Sequence, residues 1–204
     1  MKILHLFHDL MNLYGDYANV LALERALVQN GETVEIIRQS VDDKLDFDAD
    51  FIYIGSGTER NQKVALEYLT PYTEELKSAL EHTILLATGN SFEMFGTKIT
   101  DRDDKEYAGL GIFDFIVKEG TERIVTDSVV KFEGKEIIGF VNKASQIYGD
   151  VKHFFNVKQG AGNSDSSHNV EGVHDGNFYG THIIGPLLIR NPIIAEYFAS
   201  LLVK

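Results

Sequence analysis

The chain has 204 residues, 44% hydrophobic and 25% charged, which is apolar enough for one domain-sized core and too weakly charged for wholesale disorder. Lys and Arg number 19 against 31 Asp and Glu, and the resulting net charge of -12 repels phosphate backbones and argues against nucleic-acid binding by counterion release. Cysteine is absent, which removes disulfides, thiolate zinc sites and thiol nucleophiles together.

The apolar start Met1–Phe7 gives way at once to Asp9, Asn12, Gly15 and Asp16. It therefore reads as a first β-strand, Ile3 to Phe7, rather than as a leader segment, and a cytoplasmic location is expected. No apolar run approaches the about 20 residues of a membrane span. Asp16 is placed to cap a helix in which Val20, Leu23 and Leu27 share a face, and Gly31 closes that helix at the position after its C-cap. Strands are predicted at Thr33 to Ile37, Phe51 to Ile54 and Thr83 to Ala87. Between the last two lies a helical stretch whose second segment starts near Pro71. After Ala87 comes the turn Thr88-Gly89-Asn90-Ser91 and a short helix carrying Phe92, Met94 and Phe95. Strands alternating with helices at this spacing predict an α/β fold, a mostly parallel sheet with helices on both faces.

The second half changes character. Ile124 to Phe132 and Glu136 to Val141 read as a strand pair around Glu133-Gly134-Lys135. Residues 145 to 176 read as polar loops flanking a strand at His153 to Val157. Phe178 to Ile184 reads as a strand, and a last helix opens at Asn191 or Pro192 and runs through Leu202. Without internal repeat or composition break, residues 1–204 are expected to form a single domain.

Sites in parallel sheets lie at the carboxyl ends of strands. That rule selects Gly55-Ser56-Gly57, Thr88 to Ser91 and the end of the 178–184 strand. The first lacks the lysine of a phosphate-binding loop and the third glycine of a dinucleotide fingerprint, since position 60 is Arg. Among His153, His168, His174 and His182, with Asp165 and Asp175, only His168 to His174 comes near a zinc spacing, so neither a metal nor any other cofactor is expected.

Taken together, several segments carry a more specific message. They are Met11-Asn12-Leu13-Tyr14-Gly15-Asp16 with Asn19, Ile54 to Gln62, Gly89 to Gly96, Gly109 to Phe115, and Gly180 to Leu188 with Asn191-Pro192. In this order, over nearly the whole chain, they resemble the CobB/CobQ-like (cobyric-acid-synthase-type) class I glutamine amidotransferases, and among them the glutaminase subunits of bacterial lipid II isoglutaminyl synthase. The resemblance implies a flavodoxin-like parallel sheet. It implies a tight strand-to-helix turn whose cysteine attacks the glutamine amide, and a histidine general base further on. The nucleophile position falls here on Gly89 and the base position on Ile184, neither of which has the chemistry required. Of the family's glycine-rich oxyanion turn, the middle residue is Ser56; its substrate-pocket stretch becomes Asn142-Lys143-Ala144-Ser145-Gln146. Arg123 matches an arginine that the family places near the substrate.

By this resemblance the chain is expected to be an amidotransferase-like scaffold without glutaminase activity, a partner of an ATP-dependent, Mur-ligase-like synthetase in peptidoglycan (cell-wall) amidation. A remnant pocket at Gly55, Ser56, Gly57, Asn90 and Arg123 is expected to take an amino acid or similar ligand. Two enzyme alternatives stand beside it. One is a surviving glutaminase that supplies ammonia to that synthetase. The other is a substitute hydrolase built on Ser91 and on His182, which on a continuous strand faces the same side as Ile184.

Overall fold

A computed structural model describes residues 1–203. The strands β1 (Lys2–Leu6), β3 (Phe51–Ile54) and β4 (Ile84–Thr88) are apolar runs buried on both faces, as central parallel strands must be. With β2 (Glu35–Gln39), β11 (Val173–Asp175) and β12 (Phe178–Thr181) they form a six-stranded sheet in the order β11-β12-β4-β3-β1-β2. Every neighbouring pair is parallel except β11–β12.

Alternate side chains supply two cores. Ile3, Phe51, Tyr53 and Leu86 share one with Leu23 and Leu27 of α1 (Tyr17–Gln29) and with Ile194 and Phe198 of α5 (Pro192–Leu202). Leu4, Leu6, Ile52, Ile54 and Leu85 share the other with Leu66 and Leu69 of α2 (Glu59–Leu69) and Leu76 of α3 (Thr73–Ala79). Pro71 does open a new segment, a 3-10 turn at Thr70–Tyr72 leading into α3. The predicted short helix after β4 is 3-10 throughout, Gly89–Phe95. A single α-helical turn, α4 (Leu187–Arg190), precedes α5.

A second sheet contains β5 (Lys98–Thr100), β6 (Glu106–Ala108), β7 (Phe115–Phe132), β8 (Lys135–Gly149), β9 (Phe155–Gln159) and β10 (Val170–Glu171). Its order is β10-β9-β7-β5-β6, with β8 paired to β7. The hairpin β7–β8 thus reaches well past the predicted pair at both outer ends. Along β8 the buried positions continue at period two through Val141, Lys143, Ser145 and Ile147, and two of those inward residues are polar, which hid the strand from hydrophobic patterning. The expected loop region 145–176 accordingly holds the end of β8 as well as β9, β10 and β11.

Two further expectations are corrected. The strand at 178 ends at Thr181, not Ile184. Glu171 accepts from Thr181 Oγ1 at 2.6 Å and from the His182 backbone N–H at 2.7 Å, drawing the chain off the ladder. Ile184 then bridges to Phe140 of β8 instead. Asp16 precedes α1 but does not cap it with its side chain. Asn12 Oδ1 accepts from Tyr17 N–H at 2.8 Å, and the Asp16 carboxylate turns inward. Gly31, at φ +89, does take the left-handed position beyond the α1 C-cap. No helix among the described residues is long and apolar enough to cross a membrane.

Candidate functional site

Strands β3 and β4 pair in register, so their carboxyl ends set the turns Gly55-Ser56-Gly57 and Gly89-Asn90-Ser91 side by side. Against these turns lies a cavity of about 280 Å³, lined among others by Ser56, Gly57, Asn90, Glu93, Arg123 and His182. Of the residues expected to bind ligand, Gly55 alone does not reach it. A Cβ on Gly55 would lie 2.4 Å from the Met11 carbonyl, so close backbone packing accounts for that glycine.

The turns are locked to each other and to α1. Gly89 has φ +67, in the left-handed region where an L side chain is strained. A Cβ at Gly89 would stand 2.3 Å from Ser56 Cβ, so the serine side chain already fills that space. Both Ser56 N–H and Ser56 Oγ donate to Asp16 Oδ2 at 2.6 Å. Asp16 is fully buried, and burial pushes its carboxyl up to about 6 despite the hydrogen bonds from Ser56, which act the other way. Gly57 N–H donates to Asn90 Oδ1 at 3.0 Å. The Ser56 and Gly57 amides of this turn are thus both donating within the chain.

Ser91 and His182 do not meet as a hydrolase pair. Ser91 is buried, and its Oγ hydrogen-bonds to Thr88 O at 2.8 Å and Ile54 O at 3.1 Å, the ordinary satisfaction of a hydroxyl at a tight turn. The His182 ring packs edge-on against Phe92, with centroids 4.6 Å apart, between two buried carboxylates. Its Nε2 is hydrogen-bonded to Glu93 Oε1 at 3.1 Å and its Nδ1 lies 3.3 Å from Glu171 Oε1. Glu93 also accepts from Gln62 Nε2 at 2.7 Å and from Ser145 Oγ. Ile184 lines the cavity as an apolar wall.

Arg123 lines the same cavity, and it is engaged. Its guanidinium holds the Glu59 carboxylate and donates to Asn142 Oδ1 at 3.1 Å. Asn142 Nδ2 donates in turn to Tyr14 Oη at 2.8 Å. Arg123 stands on an irregular stretch of β7: Glu119 pairs with Ser145 and Ile124 with Lys143, so residues 120–123 face only Ala144.

Glu93, Glu171 and Lys143 were not singled out as site residues. Lys143 is 5% exposed and donates to Gly162 O at 2.6 Å and Asn163 O at 3.2 Å; burial lowers its pKa, with Glu171 and Glu93 pulling the other way. Lys143 and Ser145 lay in the stretch matched to the family's substrate pocket, and the register of β8 turns both inward. Glu93 offered only its place three residues past Asn90, and Glu171 gave no signal, because the contact joining it to His182 spans 11 residues. Among the described residues no group of three or more His, Cys, Asp or Glu is arranged to hold a metal.

Residues 2–192 match the CobB/CobQ-like glutamine amidotransferase domain, and the chain belongs to that family. It is 32% identical over 200 residues to the lipid II isoglutaminyl synthase (glutamine-hydrolyzing) subunit GatD of Staphylococcus aureus, spanning 97% of this chain and 82% of that one. To the subunit of the same name from Streptococcus pneumoniae it is 27% identical, spanning 100% of this chain and 81% of the relative. Among solved structures, PurLQS from Thermotoga maritima shares the fold with a TM-score of 0.63 at 16% identity, over 99% of this chain and 96% of that one. A crystal structure of a glutamine amidotransferase does so with 0.62, also at 16% identity, over 98% and 99%.

Proposed function

We propose that this chain is a non-hydrolysing amidotransferase-like subunit, a single cytoplasmic domain that docks on an ATP-dependent synthetase of the Mur-ligase type and keeps the family's cavity as a ligand pocket. The observation that carries the reading is the Gly89–Ser56 contact. The left-handed turn that presents a nucleophile in the family has no side chain here, and Ser56 Cβ occupies the space where that side chain would begin. The absence of cysteine anywhere in the chain excludes a thiol from another segment. Ile184 offers no proton transfer, and Ser91 is bound to two carbonyls. The partnership is supported by the relatives, which are named as subunits of lipid II isoglutaminyl synthase.

The test is ammonia release from glutamine by the purified chain, alone and with a candidate synthetase co-purified from the same source. Release no faster than without protein, together with a stable complex, is the expected result. Turnover that follows the protein through successive columns would instead support an active glutaminase, in line with the glutamine-hydrolysing description of the relatives.

A further inference from the structure

Two contacts in the lining of the cavity have the same character. In one, a carboxamide oxygen, Asn90 Oδ1, accepts from the Gly57 backbone N–H at 3.0 Å. In the other, a carboxylate, that of Glu59, sits on the Arg123 guanidinium. All four residues line the one cavity. A free glutamine carries these same two groups, a carboxamide and a carboxylate, on one short chain. We infer that Asn90 and Glu59 are built-in occupants of the cavity, standing where a ligand's carboxamide and carboxylate would bind and excluding free glutamine by competing for both ends. The inference rests on the reading of this cavity as a retained amino-acid pocket.

The physics favours the tethered competitors. Neither side chain loses translational freedom when it binds, so each acts at a high effective concentration against a ligand that must bring both groups from solution. The neighbouring Ser56 N–H offers no alternative, because it is held by the buried Asp16. The two closures differ in strength and in reach. Asn90 is fixed on the turn that follows β4, with its backbone carbonyl held by Gln62 Nε2 at 2.6 Å. Glu59 is the first residue of α2, and it and Arg123 are each roughly two-fifths exposed, so their pair opens readily. A contact of this size leaves the open form a minority, and removing it raises affinity by about threefold to tenfold.

The experiment titrates the folded full-length chain and its variants by NMR with three probes: L-glutamine, L-norvaline (an amino acid without the carboxamide) and butyramide (the carboxamide alone). Glu59→Gln is expected to tighten glutamine and norvaline by about threefold to tenfold and to leave butyramide unchanged. Asn90→Ala is expected to tighten glutamine and butyramide and to leave norvaline unchanged. Adding Arg123→Gln should cancel the gain from Glu59→Gln. Glu59 is at the surface, so its variant tests the Arg123 contact even if Asn90→Ala fails to fold. Equal effects on all three probes, no gain in either folded variant, or no binding by any of them overturns the inference. Ammonia is measured in the same tubes. Turnover would sink the non-hydrolysing reading while the affinity pattern still stood, whereas absent binding without turnover would sink the inference together with the amino-acid pocket it rests on and leave the non-hydrolysing reading standing.

Discussion

Restoring a cysteine at position 89 alone should damage the protein, and the size of the damage follows from two distances. Gly89→Cys places an L side chain at φ +67, which costs about 1–2 kcal/mol. It also drives the new Cβ to within 2.3 Å of Ser56 Cβ, an overpacking cost of about 1–3 kcal/mol. The single variant is therefore expected to lose about 2–5 kcal/mol. Ser56→Gly alone loses the Oγ hydrogen bond to a buried carboxylate, worth about 1.5–3 kcal/mol. In the double variant the steric cost disappears because the colliding atom is gone, so the two changes should couple favourably by about 1–3 kcal/mol. Urea denaturation of the four proteins at constant m measures that coupling. Titration with a thiol reagent reports in parallel whether the cysteine in the double variant faces the cavity. Additivity within about 0.5 kcal/mol would mean that Ser56 does not occupy the nucleophile's space, and the reasoning behind the non-hydrolysing assignment would fail.

Other outcomes follow from the same contacts. Asp16 rises from the usual 3.8 to about 6 through burial, so the folded state holds its proton more tightly and this group's contribution, about 3 kcal/mol, favours folding below pH 4 and is lost as pH rises through 6. His5, also buried, falls from 6.5 to about 4, which has the opposite sign: its contribution of similar size is present above pH 6.5 and is lost as pH falls through 4. Stability between pH 4 and 6.5 should therefore be nearly flat in the native chain. In Asp16→Asn it should decline on acidification, and a flat profile in that variant would contradict the assignment. Ser91→Ala should cost about 1 kcal/mol and change no esterase background; loss of a measurable hydrolysis would revive the serine. His182→Leu removes the ring's hydrogen bond to the buried Glu93 carboxylate and should cost about 1.5–3 kcal/mol in a denaturation curve, whereas an unchanged curve would show that Glu93 is satisfied without it.

The central strands of the first half were legible because β3 and β4 are unbroken apolar runs at helix-separated spacing, whereas β2, with polar Glu35, Arg38 and Gln39, lies two residues beyond the expected Thr33 to Ile37; the strand-end rule selected the turns that hold Ser56, Gly57 and Asn90. The second half resisted the same method for a local reason. Lys143 and Ser145 are polar and inward, so hydrophobic alternation alone ends β8 at Val141. The strand at 178 failed in the opposite direction. Its apolar pattern runs on through Ile183 and Ile184, and only the carboxylate of Glu171, remote in sequence from the turn it bends, ends the ladder at Thr181. Asp16 had the right residue type for a cap and the right position. What the sequence could not display was that Asn12 reaches the same helix start, which frees Asp16 for Ser56. The pattern of partners, not the identity of the residues, was the missing information.

Residues 120–123 of β7, opposed by Ala144 alone, have a consequence for how the cavity wall behaves in time. Elsewhere the hairpin's amides are secured by ladder hydrogen bonds on both sides of this excursion, at Phe115 to Glu119 and again from Ile124 to Phe132. Deuterium should therefore enter the amides of Gly120 to Arg123 orders of magnitude faster than those of either flank. The segment that carries Arg123 is then expected to open locally before the ladder on either side of it does.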